Sequence, residues 1–150
     1  MDGITIREAM ASDLPAIKAC ARAAYARYVA AIGREPAPMV ADFAAQVAAG
    51  IVEVAERDRS VCGFIVFFPK DGAMLLENVA VHPDVAGQGI GKALIARCEA
   101  AARRAGLPAV TLYTNAKMTE NLVIYPRLGY ARTDRRVEEG FDRVYFRKAF

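Results

Sequence analysis

NVAVHPDVAGQGIGKALI, residues 78–95, decides the reading of this chain. It opens as an apolar, β-branched strand and passes a His-Pro turn. It then sets glycines at 87, 89 and 91 and continues with apolar residues at helical spacing. A helix that starts directly after such a loop turns unpaired backbone N–H groups and the positive end of its dipole toward it. Gly87, Gly89 and Gly91 can adopt φ > 0 and carry no Cβ to block a ligand. The stretch therefore predicts an anion site on the scale of a pyrophosphate.

Two nucleotide fingerprints come close and fail. For the phosphate loop GxxxxGK[ST], Gly91-Lys92 supplies the GK, but Ala86 stands where the first glycine belongs and Ala93 where the magnesium-binding hydroxyl belongs. For GxGxxG, the last glycine becomes Lys92 or Leu94, depending on the start.

Working outward, ITIRE alternates as a first strand, and Ser12-Asp13 offers an N-cap to a helix with Pro15 in its first turn. Leu14, Ile17, Ala21, Ala24 and Tyr28 keep helical spacing up to a stop near Gly33. Residues 34–39 carry two prolines and read as a loop, and residues 40–49 as a second helix. IVEVAERD and VCGFIVFFPK form a hairpin, and MLLENVAV, after a turn at Lys70-Asp71-Gly72, adds a third strand. The helix after the glycine loop buries Ile90, Leu94, Cys98, Ala101 and Ala105, with Lys92, Glu99 and Arg103 on its other side, and ends at Gly106. AVTLYT is a strand and residues 120–127 a short helix. Two further strands flank a turn at Glu138-Glu139-Gly140. The order β-α-α-β-β-β-α-β-α-β-β predicts one domain, residues 1–150, of mixed α/β class with helices on both faces of a central sheet.

At 150 residues, 55% hydrophobic and 25% charged, the chain can bury a core of its own. A net charge of +3 suits a small anionic ligand and gives no footprint for nucleic acid. Cys20, Cys62 and Cys98 are widely spaced and read as buried reduced thiols, and with His82 the only histidine no metal site is expected. His82, before a proline, is a poor base for a nucleophilic triad. MDGITIREAM has no apolar segment behind a basic start and no stretch is long enough to cross a bilayer. The expectation is a cytosolic protein without membrane partners.

The glycine stretch resembles the signature of the GNAT superfamily of acyl-CoA-dependent N-acyltransferases, [Q/R]-x-x-G-x-[G/A] after an apolar-x-Val-x-Pro strand end. Val81-His82-Pro83, Gly89 and Gly91 match; Ala86 stands in place of the usual Arg or Gln. NLVIYPRLGY, residues 121–130, resembles the family's Tyr-x-x-x-Gly-[Phe/Tyr] motif at Tyr125, Gly129 and Tyr130. The resemblance covers nearly the whole chain. It implies a mostly antiparallel mixed sheet of about seven strands with about four helices, and acetyl transfer from acetyl-CoA to a primary amine of a small molecule or peptide.

By the same resemblance, Ala86, Gly87, Gln88, Gly89, Ile90, Gly91 and Lys92 hold the pyrophosphate, and Val79, Ala80 and Val81 pair with the pantetheine arm as an added strand would. The family's pantetheine asparagine falls at Met118, so that role passes to Asn121. Direct attack on the thioester needs a base for the ammonium, a donor for the carbonyl oxygen and an acid for the leaving sulfur. Tyr125 is the candidate acid. Glu77, two residues before Val79 and so on its strand face, is the candidate base, with Tyr113 and Glu120 as alternatives. Tyr25, Tyr28, Arg34, Glu35 and Met39 are candidates for the acceptor pocket. A homodimer is a family expectation only. The competing reading is a non-catalytic acyl-CoA sensor of the same fold, motivated by Ala86 and the displaced asparagine.

Overall fold

The computed structural model describes residues 3–150. One seven-stranded sheet runs in the order β1-β2-β3-β4-β5-β7-β6. Its strands are β1 (Ile4–Glu8), β2 (Val52–Arg57), β3 (Ser60–Lys70), β4 (Ala73–Val81), β5 (Ala109–Asn115), β6 (Ala131–Glu138) and β7 (Phe141–Ala149). β4 and β5 pair in parallel, whereas β1/β2, β2/β3, β5/β7 and β6/β7 are antiparallel. The helices are α1 (Leu14–Tyr25), α2 (Val29–Ile32), α3 (Phe43–Ala48), α4 (Ile90–Arg104) and α5 (Thr119–Arg127). The mixed, mostly antiparallel sheet expected from the sequence is the sheet observed.

The chain divides into two compact units, one of residues up to Phe67 with Glu77–Arg97, the other of Phe68–Leu76 with Cys98–Phe150. In the first, Ile17, Phe43, Val54, Phe64, Ile90 and Leu94 are fully buried, with Phe43 edge-on to Phe64 at 5.3 Å between ring centroids. Burying side chains of this size contributes ~1.5–3 kcal/mol each. In the second, Val110, Leu112, Val144 and Phe146 form the core, with Tyr125 and Phe146 rings 5.8 Å apart.

Several local expectations are corrected. Asp13 does not cap α1 with its side chain; its carboxylate accepts from Met10 N–H and forms a two-pronged pair with Arg7, whose guanidinium also holds Glu56. The first helical run tightens to a 3-10 turn over Ala26–Tyr28 before ending at Gly33, where φ is +90°. The prolines of residues 34–39 open another 3-10 turn, Ala37–Met39. α3 starts only at Phe43, because the Asp42 carboxylate caps it by accepting from Ala45 N–H at 3.0 Å.

On α4, Glu99 is buried rather than solvated. It accepts from the Tyr130 hydroxyl at 2.8 Å and pairs with Lys148 at 3.0 Å, which offsets the desolvation of a carboxylate. The buried stripe keeps its four-residue step from Ile90, Leu94 and Cys98 to Ala102, whereas the expected step of three to Ala101 and on to Ala105 leaves the first half-buried and the second exposed. β6, an edge strand, is exposed along nearly its whole length and carries Arg135–Asp142 and Arg136–Asp134 pairs, charges of the kind that discourage edge-to-edge pairing.

Candidate active site

Five residues of the first unit, Glu77 to Val81, line up along β4. Glu77, Val79 and Val81 share a half-buried face, and Asn78 and Ala80 the buried one. His82 N–H donates to Cys62 O on β3. In an antiparallel ladder every second residue turns both backbone groups to the same neighbour. Asn78 and Ala80 therefore face β3, and Glu77, Val79 and Val81 turn their N–H and C=O groups to the other edge. Glu77 itself has an interaction partner within the fold.

The sequence reading missed Asn78, which is 4% exposed. Its amide donates to Pro38 O at 3.0 Å, and its Oδ1 accepts from the Tyr25 hydroxyl at 2.7 Å. The same hydroxyl lies 3.0 Å from Val79 O. Tyr25 and Asn78 thus fasten α1 and the 3-10 turn at Met39 to β4. A polar residue on the strand face it shares with Leu76 and Ala80 was the available signal. Of the other acceptor-pocket candidates, Met39 is buried, Tyr28 accepts from Arg27 at 2.8 Å, and Glu35 pairs with Arg22 at 3.2 Å in solvent.

After β4 the His82 ring accepts from Asp84 N–H and caps a 3-10 turn, Pro83–Val85; its role is local. Gly87 and Gly89 then take φ of +80° and +83°. A Cβ on Gly87 would meet nothing within 4 Å, so the backbone there borders open space. Gly91 corrects the sequence reading. It lies inside α4 and lacks positive φ, and its use is close packing, with Val81 Cγ2 3.5 Å from where its Cβ would be. Ile90 is buried, whereas Ala86, Gln88 and Lys92 are exposed. Gln88 Oε1 accepts from Arg57 on β2, a contact between residues 31 apart that no local pattern announces. Exposed backbone N–H groups, two left-handed glycines and a helix start make this loop competent to hold a phosphate-bearing ligand.

The second unit carries Tyr125, Asn121, Tyr113 and Glu120. Tyr130 N–H bonds to Tyr125 O and Gly129 N–H to Pro126 O, with Gly129 at φ +95°. This is a Schellman helix end, and the Tyr125 and Tyr130 rings, 5.8 Å apart, make the apolar contact that accompanies it. Burial, and secondarily Cys98, pushes the Tyr125 hydroxyl well above the ordinary tyrosine range, so it stays a phenol at neutral pH. Asn121 Nδ2 donates to Thr114 Oγ1 at 3.0 Å.

All three cysteines are buried and free, and burial pushes Cys20 up to about 12 and raises Cys62 as well. Neither is a thiolate nucleophile at neutral pH. Among the described residues no helix is long and apolar enough to cross a membrane.

A family profile described as "Acetyltransferase (GNAT) domain" matches residues 48–132, which include β4, the glycine loop, α4, β5 and α5. The chain belongs to the GNAT acetyltransferase family. Mycothiol acetyltransferase from Cellulomonas flavigena is 47% identical over 55 residues, which are 37% of this chain and 16% of that protein's length. Among solved structures, the fold is similar to PaiA N-acetyltransferase from Thermoplasma acidophilum in complex with coenzyme A, 17% identical with a TM-score of 0.78 over 98% of this chain and 99% of that one. It is also similar to Arabidopsis thaliana Naa50 in complex with a bisubstrate analogue, 19% identical with a TM-score of 0.76 over 99% of both chains. At these identities the structural likeness carries the fold alone.

Proposed function

We propose that residues 1–150 act as one N-acetyltransferase domain that moves an acetyl group from acetyl-CoA to a primary amine of a small molecule or peptide, by direct attack in a ternary complex. The observation that carries this reading is the glycine loop: two positive-φ glycines and open space over Gly87, directly before α4, in a chain of the GNAT family. Coenzyme A bound to one solved relative, acetyl-CoA to another and a CoA-peptide conjugate to a third support acetyl-CoA as the donor.

Acetyl-CoA supplies the activated acyl thioester. Gly87, Gly89, Ile90 and Gly91 offer backbone N–H groups to the pyrophosphate, with Ala86, Gln88 and Lys92 beside it. Val79, Ala80 and Val81 receive the pantetheine arm, chiefly through the groups of Val79 and Val81 that turn away from β3. Asn121 serves the same arm through its carbonyl oxygen, since its amide is committed to Thr114. Glu77 takes the proton from the acceptor ammonium, and Tyr125, kept protonated by burial, gives one to the leaving sulfur. Tyr25, Tyr28, Glu35 and Met39 shape the acceptor side. The protein works in the cytoplasm, alone or as a homodimer.

Calorimetric titration with acetyl-CoA and with CoA tests the reading, and absence of binding of either at millimolar concentration refutes it. A CoA-release screen over polyamines, aminoglycosides, amino acids and peptide N-termini then identifies the amine. Binding without release on any of them supports a sensor instead.

A further inference from the structure

The family's usual Arg or Gln is missing at Ala86, yet the loop is not without a cation. The fold brings one from β2. Along β2, Glu53, Ala55 and Arg57 share a face by strand alternation. Glu53 accepts from Arg97 on α4 at 2.6 Å, and Arg57 donates to Gln88 just before α4. The two ties fit one geometry. Glu53 to Arg57 is about 13 Å of strand. Ile90 to Arg97 is about 10 Å of helix, with Gln88 two residues further out. β2 thus runs alongside α4, and its last residue arrives at the helix start.

Ala55 pairs with Gly63 but Glu56 with Val61, so the extra residue, Cys62, belongs to β3, and the alternation of β2 runs uninterrupted to Arg57. The polarity of the contact is also fixed. A guanidinium has only donors, so Gln88 must present its oxygen, and what is left of the Gln88 side chain is an NH₂ donor. Arg57 and Gln88 together form a donor-only, positively charged array beside the backbone N–H groups of a loop that borders open space.

We propose that Arg57, oriented by Gln88, binds a phosphate of the acyl-CoA and supplies from β2 the charge that Ala86 cannot. The inference rests on the acetyl-CoA reading above. Pyrophosphate and ribose 3′-phosphate share the chemistry, and dephospho-CoA, which lacks the 3′-phosphate, tells them apart.

The test is calorimetry on the full chain with CoA and dephospho-CoA, at low and high salt. A charge-assisted hydrogen bond to phosphate predicts roughly a tenfold or greater loss of CoA affinity in Arg57→Ala, with Arg57→Lys recovering part of it. The salt dependence of binding should flatten in Arg57→Ala. If dephospho-CoA shows the same loss, the contact is to the pyrophosphate; if it shows none, to the 3′-phosphate. Gln88→Leu, at an exposed position, guards against a folding defect in the Arg57 variants and should weaken CoA several-fold. Arg57→Ala or Gln88→Leu binding CoA within twofold of the parent, with the parent's salt dependence, overturns the inference. A parent protein that binds no CoA at all instead overturns the reading beneath it.

Discussion

Gly63 lies at the centre of the first unit, buried on β3 without positive φ, so only space restricts it. A Cβ there would sit 3.0 Å from Ala80 O, 3.3 Å from Leu94 Cδ1 and 3.4 Å from Ile90 Cγ2. The two side-chain methyls can yield a few tenths of an ångström. The carbonyl belongs to β4 and cannot move without the strand. Gly63→Ala should therefore behave as overpacking of a tight core and cost about 1–3 kcal/mol. For a chain near this size that lowers the unfolding midpoint by about 2–12 °C.

Thermal unfolding followed by circular dichroism reads the shift, with urea unfolding as a check that the transition remains two-state. The strain also falls on Ala80 and Ile90, which flank the glycine loop in sequence, so acetyl-CoA affinity should fall along with stability. A midpoint equal to or above the parent's would show that β3 and β4 can separate freely at this point, and the close approach of Gly63 would then be no constraint on the fold.

Three other changes probe separate links. Asp13→Asn removes the charge that pairs with Arg7 and should cost about 1–3 kcal/mol at neutral pH by urea unfolding. Hydrogen bonding to Arg7 lowers the Asp13 carboxyl, so its stabilisation is complete above its unfolded value of about 4 and is lost as pH falls through the lower folded value. The gap between parent and variant should persist from pH 7 to about 5 and close in stronger acid, and a gap unchanged at pH 2 refutes the assignment. Gly129→Ala, at φ +95°, should lose about 1–2 kcal/mol, with Gly129→Asn losing less; equal stability of all three would deny that Gly129 stops α5. Tyr125→Phe should lower kcat at least roughly tenfold on the amine found by screening while acetyl-CoA affinity holds, and an unchanged kcat removes Tyr125 as the acid.

Patterns that close within one element were readable from the sequence. The alternation of ITIRE, the turn at Asp71-Gly72 and the strand-glycine-helix order all fall where local spacing puts them. What escaped depends on partners far along the chain. Glu99 looks solvated by helical period alone, because the groups that make its burial tolerable, Tyr130 and Lys148, lie 31 and 49 residues downstream. Tyr25 was legible as a site candidate, but its bond to Asn78, 53 residues away, was not. Side-chain capping failed at Asp13 for a local reason: Arg7 and Met10 N–H, six and three residues before it, claim the carboxylate first. Pairing across a sheet or between strand and helix is set by topology, which residue spacing specifies only in outline.

The two glycine motifs then differ in what they demand of a ligand. Gly129 is accounted for by the chain itself. It ends α5 with both Schellman hydrogen bonds, and Tyr130 packs back on Tyr125. Any protein that stops a helix this way has reason to keep Tyr-x-x-x-Gly-Tyr, so that motif by itself does not require Tyr125 to do chemistry. Gly87 is not accounted for in this way. Its left-handed backbone needs glycine, but no packing consequence follows, because the place of a side chain there is empty space beside a helix start. Gly33, Gly72 and Gly106 share positive φ and an open side-chain position, and Gly87 differs from them in standing with Gly89 directly before the start of α4, where unpaired N–H groups favour an anion. The cofactor half of the proposed function is therefore argued from the loop before α4, and the acid half is tested by the kinetics of Tyr125→Phe.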